Sequence, residues 1–458
     1  MRVIICGAGQ VGYSIASYLA REENDVTIID LQPKLIAQIN DELDVHGMVG
    51  HAASPEVLEA AGAANADMIV AVTHLDEVNM VACQVAHSLF SVPKKIARVR
   101  EQGYLQPAWS NLFSRAHMPI DLIISPEVAV AEAINQRLRM PGTMNIIPLA
   151  EGEVYLAGVI CNEDCPILYT QIRQFSELFP GLPIEVSLVL RGNEILIPDY
   201  DDQLEEGDEV YFFTDKEHLS RALSVFGHEE KKARHICIMG GGNIGLYLAK
   251  LIKEEHRKVQ IKIIENNAAR AHQLSEELPD VTVINGDGLQ REILEEVNIG
   301  ATETLIAVTN DDETNILGSL LAKQHGCERV ITLVNKPTYT SLVTSLGIDA
   351  VVTPRATTVS SIMQHVRRGR VKGVHTLRDS VAEVLEAEVS DTATIANKTI
   401  SEIDLQDELD IGCIVRDGEF MLPAQDLKIL PGDHVIVLAK AGHAREMEQF
   451  FTVQVDLF

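Results

Sequence analysis

Two glycine-rich turns carry the clearest chemistry in this chain. Gly7-Ala8-Gly9-Gln10-Val11-Gly12 follows the apolar run RVIIC, and Gly240-Gly241-Gly242-Asn243-Ile244-Gly245 follows HICIM. Each turn opens a stretch with helical spacing, and an acidic residue ends the next apolar run: Asp30 closes DVTIID and Glu265 closes VQIKIIE. A lone glycine motif is weak, but strand, turn, helix and acid together form the dinucleotide-binding arrangement. The first glycine permits a tight turn, the second lets backbone approach a pyrophosphate, and the third lets helix and strand pack closely. Free N–H groups and the positive dipole end of the helix attract phosphate. The carboxylate can accept from a ribose 2′-hydroxyl and would repel a 2′-phosphate, which favours NAD or adenine nucleotides over NADP.

Further ligand candidates stand at the carboxyl ends of other strand-like runs, where an open α/β sheet binds. These are Thr73 and His74 in the first half and Thr309 and Asn310 in the second. Asp287 follows the third run of the second half and could reach an adenosine; its counterpart is His51, so the two sites are not equivalent. Arg98 and Arg100 could meet phosphate, where the second half offers Asn335 and Lys336. The plainer readings are that Thr73 and Thr309 cap helices, that Asp76, Glu77, Asp312 and Glu313 complement a helix dipole, and that Asp287 is a turn residue. The basic run HVRRGRVKG at 365–373 reads as a solvated helix end.

The elements that position these groups occur twice. AVTHLDEVNM at 71–80 recurs as AVTNDDETNI at 307–316, and VLRGNEILIPDYDDQLEEGDEV at 189–210 as IVRDGEFMLPAQDLKILPGDHV at 414–435. The latter pair shares Arg191 with Arg416, Pro198 with Pro423, and Gly207-Asp208 with Gly432-Asp433, all in turn-like settings. In the first part of each half, apolar runs alternate with helical stretches, which predicts an α/β fold of two doubly wound parallel-sheet domains. Shorter alternating runs such as EVYLAGVI and EVYFFT follow, and predict a small α+β module after each. The expected domains are 1–140, 141–228, 229–371 and 372–458. Pro141-Gly142 and the stretch from Gly369 to Gly373 mark the inner boundaries, and EEKKAR at 229–234 is the linker.

Composition narrows the function. Against 38 Lys and Arg stand 67 Asp and Glu, a formal charge of −29 over 458 residues. That opposes nucleic-acid binding, and with it a redox-sensing DNA repressor. No apolar run reaches the roughly 18 residues of a membrane span, and the N-terminus runs straight into a glycine turn rather than a signal peptide. The seven cysteines form no CxxC, and even Cys161 and Cys165 have no His or further Cys nearby in sequence to complete a metal site. The expected compartment is the cytoplasm. No GxSxG, HExxH or Walker motif is present, and the modules offer no obvious acid or base. Binding without turnover is the simpler expectation; the alternative is an NAD-dependent oxidoreductase with a duplicated dinucleotide domain.

GAGQVG with Asp30, AVTHLDEVNMVACQVA, GGGNIG and AVTNDDETNI resemble the tandem-RCK (regulator of potassium conductance) subunits of bacterial Trk potassium-uptake systems, across essentially the whole chain. The resemblance implies two Rossmann domains, each followed by a C-terminal RCK module that senses ligand. It implies a homotetrameric ring on the cytoplasmic face of the plasma membrane, beneath a potassium channel or transporter subunit of the TrkH/TrkG kind. It implies regulation by NAD(H) and by ATP or ADP. Carried over by position, the first site would use Gly7 to Val11, Asp30, Thr73, His74 and Arg98, and the second Gly240 to Ile244, Glu265 and Thr309. The family's frequent Gly-Asp survives as Gly286-Asp287 but is Gly50-His51 in the first half.

Overall fold

The computed structural model describes residues 1–22, 24–192, 194–229, 233–336, 338–339, 342–343, 346–366, 371–377, 381–405 and 408–451. Residues 367–370 of the basic run at 365–373, Gly369 among them, and residues 230–232 of the expected linker at 229–234 lie outside them. The chain forms two compact units, 1–134 with 234–363, and 135–233 with 364–458. Two of the three dividing points fall inside the helices Pro126–Arg139 and Pro354–Val366, and the third lies between Ala233 and Arg234.

The first unit holds two parallel sheets of one design. Strands β1 (Arg2–Cys6), β2 (Asp25–Asp30), β3 (His46–Val49), β4 (Met68–Ala71), β5 (Lys94–Arg98) and β6 (Leu122–Ile124) order themselves 3-2-1-4-5-6. In β1, Val3 to Cys6 are all buried, as is the whole of β4, because helices cover both faces of the sheet. That is why these strands read as continuous apolar runs rather than alternating ones. Ile4, Cys6, Ile69, Ala71 and Ala97 meet Ala82, Cys83 and Ala86 of the helix Asp76–Phe90 in one core. The order reverses between β1 and β4, so both chain crossovers leave a crevice at the carboxyl ends of these two strands.

The second unit holds the modules. In the first, β7 (Asn145–Leu149), β8 (Val154–Ile160), β9 (Glu185–Arg191), β10 (Glu194–Leu196) and β11 (Glu209–Asp215) form an antiparallel sheet ordered 10-9-11-8-7. The chain then returns to the first unit with β12 (His235–Met239), β13 (Gln260–Glu265), β14 (Thr282–Asn285), β15 (Thr304–Ala307), β16 (Arg329–Leu333) and β17 (Ala350–Val352), ordered 14-13-12-15-16-17. The second module comprises β18 (Val371–Leu377), β19 (Ala382–Glu388), β20 (Leu409–Arg416), β21 (Glu419–Met421) and β22 (His434–Lys440), ordered 18-19-22-20-21.

Each module buries one sheet face under its own helices. In the first, Phe212 of β11 stacks on Phe226 at 4.5 Å between ring centres. The other faces meet each other: Leu156, Leu188 and Phe213 share a core with Val384, Cys413 and Leu438. Gly412 is required there, since any Cβ would enter the ring of Phe213. The turn that shares Arg, Gly and Asp between the repeats is a structural staple. Asp208, 1 % exposed, receives Nε and Nη2 of Arg191 at 2.9 and 2.8 Å and the N–H of Glu205 at 2.8 Å. Asp433 receives Arg416 and the N–H of Leu430 in the same way.

Candidate nucleotide sites

The two glycine turns are built alike. Gly7 and Gly240 take φ of +110° and +111°, the left-handed region that favours glycine. A Cβ on Gly7 would stand 3.0 Å from the backbone of Val72 and Thr73, so the turn is pressed against the end of β4. A Cβ on Gly12 would enter the carbonyl oxygen of Gly7, and one on Gly245 that of Gly240. Gly9 and Gly242 differ: open space surrounds the place of their missing side chains. They are the N-caps of the helices Gln10–Arg21 and Asn243–Glu255, with no side chain to cap the first turn. Gln10, Val11, Asn243 and Ile244 belong to those first turns, so their backbone donors face the opening that an anion would fill.

Both acids hold their turns. Asp30 accepts from the N–H of Ala8 at 2.7 Å and of Gln32 at 2.8 Å; Glu265 accepts from Gly241 at 2.8 Å and Asn267 at 2.7 Å. Each carboxylate therefore joins the end of the second strand to the glycine turn, where a ribose hydroxyl would have to approach. Glu265 carries one more methylene than Asp30 yet makes the same two bonds, because Gly241 leaves it room: a Cβ there would stand 3.0 Å from Glu265 Oε2 and clash with Leu274.

Across the crevice, Thr73 and Thr309 are not helix caps, which are Leu75 and Asp311. Each threonine is gripped by a buried asparagine that sequence reading passed over. Asn79 Oδ1 accepts from Thr73 N at 2.8 Å and from its hydroxyl at 2.7 Å, while Asn79 Nδ2 donates to the carbonyls of Thr73 and Arg98. Asn315 does the same for Thr309 and the carbonyl of Leu333. The signal was available: an asparagine stands at the same place in both repeats of the AVT segment. Replacing Asn79 with alanine is expected to leave several buried backbone groups unpaired, at about 1–3 kcal/mol each before relaxation. Thermal unfolding should show that loss together with weaker nucleotide binding; unchanged stability would contradict the role.

The remaining candidates separate the two sites. Arg98 donates from Nη2 to the Thr73 carbonyl at 2.6 Å, while its buried Nε has no partner. Burial and the neighbouring Arg100 lower its pKa. By sheet register its counterpart is Leu333, and Asn335 and Lys336 answer to Arg100 and Glu101 instead. Lys336 is engaged with Glu313 at 2.8 Å and Arg100 with Glu127 at 2.7 Å. Asp76 and Asp312, read as dipole partners, are buried and hold the backbone after the fifth strand: Asp76 accepts from Arg100 and Glu101, Asp312 from Asn335 and Lys336. His74 is exposed beyond Thr73. Asp287 accepts from the N–H of Leu289 at 3.0 Å as a turn residue would, and is half-buried; His51 is exposed. Arg270 was also missed: its Nε donates to the Gly241 carbonyl at 2.8 Å and its buried Nη2 is unpaired, whereas the first half has Leu35 at that place.

The fold and these crevices define a tandem protein with two Rossmann dinucleotide-type domains, each followed by an antiparallel module. Comparison with known proteins agrees. The TrkA-N domain matches residues 3–126 and 236–354, and the TrkA-C domain 156–227 and 384–452. The chain is 46% identical to the Trk system potassium uptake protein TrkA of Azorhizobium caulinodans over all of both chains. It is 38% identical to that of Halomonas elongata, again over all of both, and 37% identical to that of Vibrio alginolyticus over 98% of both. The chain belongs to the TrkA family. In fold it resembles the RCK domain of GsuK, with a TM-score of 0.58 at 18% identity over 98% of this chain and 94% of that one. It also resembles the GsuK channel bound to NAD, with a TM-score of 0.58 at 17% identity over 98% of this chain and 78% of that one.

Proposed function

We propose that this chain is the nucleotide-sensing regulatory subunit of a potassium-uptake system, binding NAD(H) and the adenine nucleotides ATP and ADP, and that it carries out no catalysis. The observation that carries the reading is the pair of open, uncapped glycine turns, each tied to an acid, in a member of a potassium-uptake family. Gly7 to Gly12, Asp30, Thr73, His74 and Arg98 line the first site; Gly240 to Gly245, Glu265, Asp287 and Thr309 line the second. The domains run 1–140, 141–228, 229–371 and 372–458. Since Leu333 takes the place of Arg98, Arg270 that of Leu35 and Asp287 that of His51, the two sites prefer different ligands.

No described helix is long and apolar enough to cross a membrane. The chain acts from the cytoplasmic face as a homotetramer, and its membrane partner is a TrkH/TrkG-like channel or transporter subunit. Nucleotide favours one arrangement of the assembly, and that arrangement favours an open or closed pore; a ligand shifts such an equilibrium only by its differential affinity for the two states. Coupling of about 1–3 kcal/mol per site is the usual scale. The test is potassium flux through the reconstituted membrane subunit with this chain and each nucleotide. Flux should change with nucleotide, and adding the membrane subunit should change nucleotide affinity by the reciprocal factor. Flux indifferent to every nucleotide overturns the reading, and NADH consumed in step with a substrate would favour the oxidoreductase.

A further inference from the structure

The face on which the two modules meet carries an arrangement that nucleotide binding does not use. β9 and β20 are the same strand of the two repeats, closed by Arg191 and Arg416. Glu185 therefore answers to Asp410, Ser187 to Gly412 and Leu188 to Cys413. The two strands pack against each other within one apolar core, to which Leu188 and Cys413 both belong. Glu185 pairs with Phe213 of β11, and the Phe213 ring lies against Gly412, two residues after Asp410, so the two carboxyl-bearing positions come to one junction.

Their surroundings do not suit two negative charges. Asp410 Oδ2 is buried without a hydrogen-bond partner, and so is the hydroxyl of Ser187, a fully buried residue. Burial and then the Asp410 carboxyl push Glu185 up to about 8. Burial pushes Asp410 up to about 6, against the nearby Ser187 hydroxyl, which lies outside good hydrogen-bond geometry, and the Ile411 N–H. Tyr200, in the loop after β10, is raised to about 12 by burial and then by both carboxyls. Cys413 on β20 is raised by burial, then by Glu386 of β19 and by the pair; His434 of β22 stands 3.6 Å from Glu386. Among the described residues, the groups acting on the pair are thus acidic or neutral, with His434 one step behind.

We propose that Glu185 and Asp410 share a proton at the junction of the two modules, so that the pairing of the modules is linked to pH. With a proton between them the pair bears one charge; with none, two carboxylates crowd one partly buried junction, at whose edge Tyr200 is about half exposed. Both groups titrate higher in the folded protein than in the unfolded chain, where Glu and Asp stand near about 4.3 and 3.9. Their contribution is therefore intact below about pH 4, falls as pH rises, and is lost above about pH 8.

The test is unfolding of the full chain at about pH 6 and about pH 9 for the wild type, Glu185→Gln, Asp410→Asn and the double variant. Over that interval the wild-type unfolding constant should rise roughly a hundredfold more than that of the double variant, with each single variant between them. Infrared spectra of the wild type should show a protonated carboxyl band near neutral pH that is missing from Glu185→Gln with Asp410→Asn. Parallel pH profiles for the wild type and the double variant would overturn the proposal. So would a wild-type carboxyl band that vanishes by about pH 5, a reading that needs no variant to fold. Stabilisation of the wild type alone by potassium or calcium chloride at alkaline pH would make the pair a cation site and overturn it as well.

Discussion

Replacing Arg191 with alanine is expected to cost the second unit about 3–5 kcal/mol, the range for breaking one side of a buried ion pair. Asp208 is nearly inaccessible and accepts three hydrogen bonds, two of them from the fork of Arg191. Alanine leaves that carboxylate buried with only the Glu205 N–H. The guanidinium also donates to Glu205 at 2.7 Å and to the Gln203 carbonyl at 2.9 Å, so the loss extends through the turn before β11. Lysine should recover little, since a point charge cannot reproduce two parallel bonds. Removing both partners, as Arg191→Met with Asp208→Leu, should cost much less than removing Arg191 alone, because no buried charge remains. Denaturant unfolding decides this. Arg416→Ala should act likewise through Asp433, which is 2 % exposed; a loss below about 1 kcal/mol for either arginine, the scale of an exposed pair, would contradict the buried-staple account.

The second large effect separates folding from binding. Gly9→Ala should leave stability within about 0.5 kcal/mol of the wild type, the usual range for a change that touches nothing. Gly9 has an ordinary extended backbone, and no atom lies within 4 Å of the added carbon. Nucleotide affinity should nevertheless fall by at least about tenfold, because the methyl group would occupy the space through which a pyrophosphate reaches the backbone. Gly12→Ala is the contrast: its methyl group would enter the Gly7 carbonyl oxygen, forcing helix from strand. Overpacking of that kind costs about 1–3 kcal/mol or more, so both stability and binding should fall. If Gly9→Ala bound nucleotide as the wild type does, the open face of the turn would not be where the phosphates sit.

Much of this was legible in the residues. The parallel strands announced themselves as apolar runs because both their faces are covered, and the glycine turns because the backbone there tolerates few alternatives. The acids Asp30 and Glu265 stood at the expected strand ends, although their bonds to the turn N–H groups required the structure. What stayed hidden was mostly polar and long-range. Asn79 looks like any helix residue until its side chain is found joining β4 to the end of β5. Arg191 and Asp208 were recognised as shared positions, but nothing in a linear reading joins them across the turn. The strand β7 stands out little in the sequence, because its apolar residues cover a short segment interrupted by Pro148. Glu185 and Asp410 stand on equivalent strands that pack together, a fact that periodicity in one module does not contain.

The central claim is that both crevices bind nucleotide, and calorimetry on the full chain tests it most directly. NADH, NAD, ATP, ADP and NADPH would be titrated into the wild type, Asp30→Ala and Glu265→Ala. Two classes of site are expected, one weakened by each substitution, with NADPH poorest where a carboxylate faces the ribose. Loss of an acid that accepts from ribose should lower affinity about tenfold or more, at roughly 1.5–3 kcal/mol for a charged hydrogen bond. No binding by the wild type, or binding indifferent to both substitutions, would mean that the glycine turns only join strand to helix, and the account of this chain as a nucleotide sensor would fall.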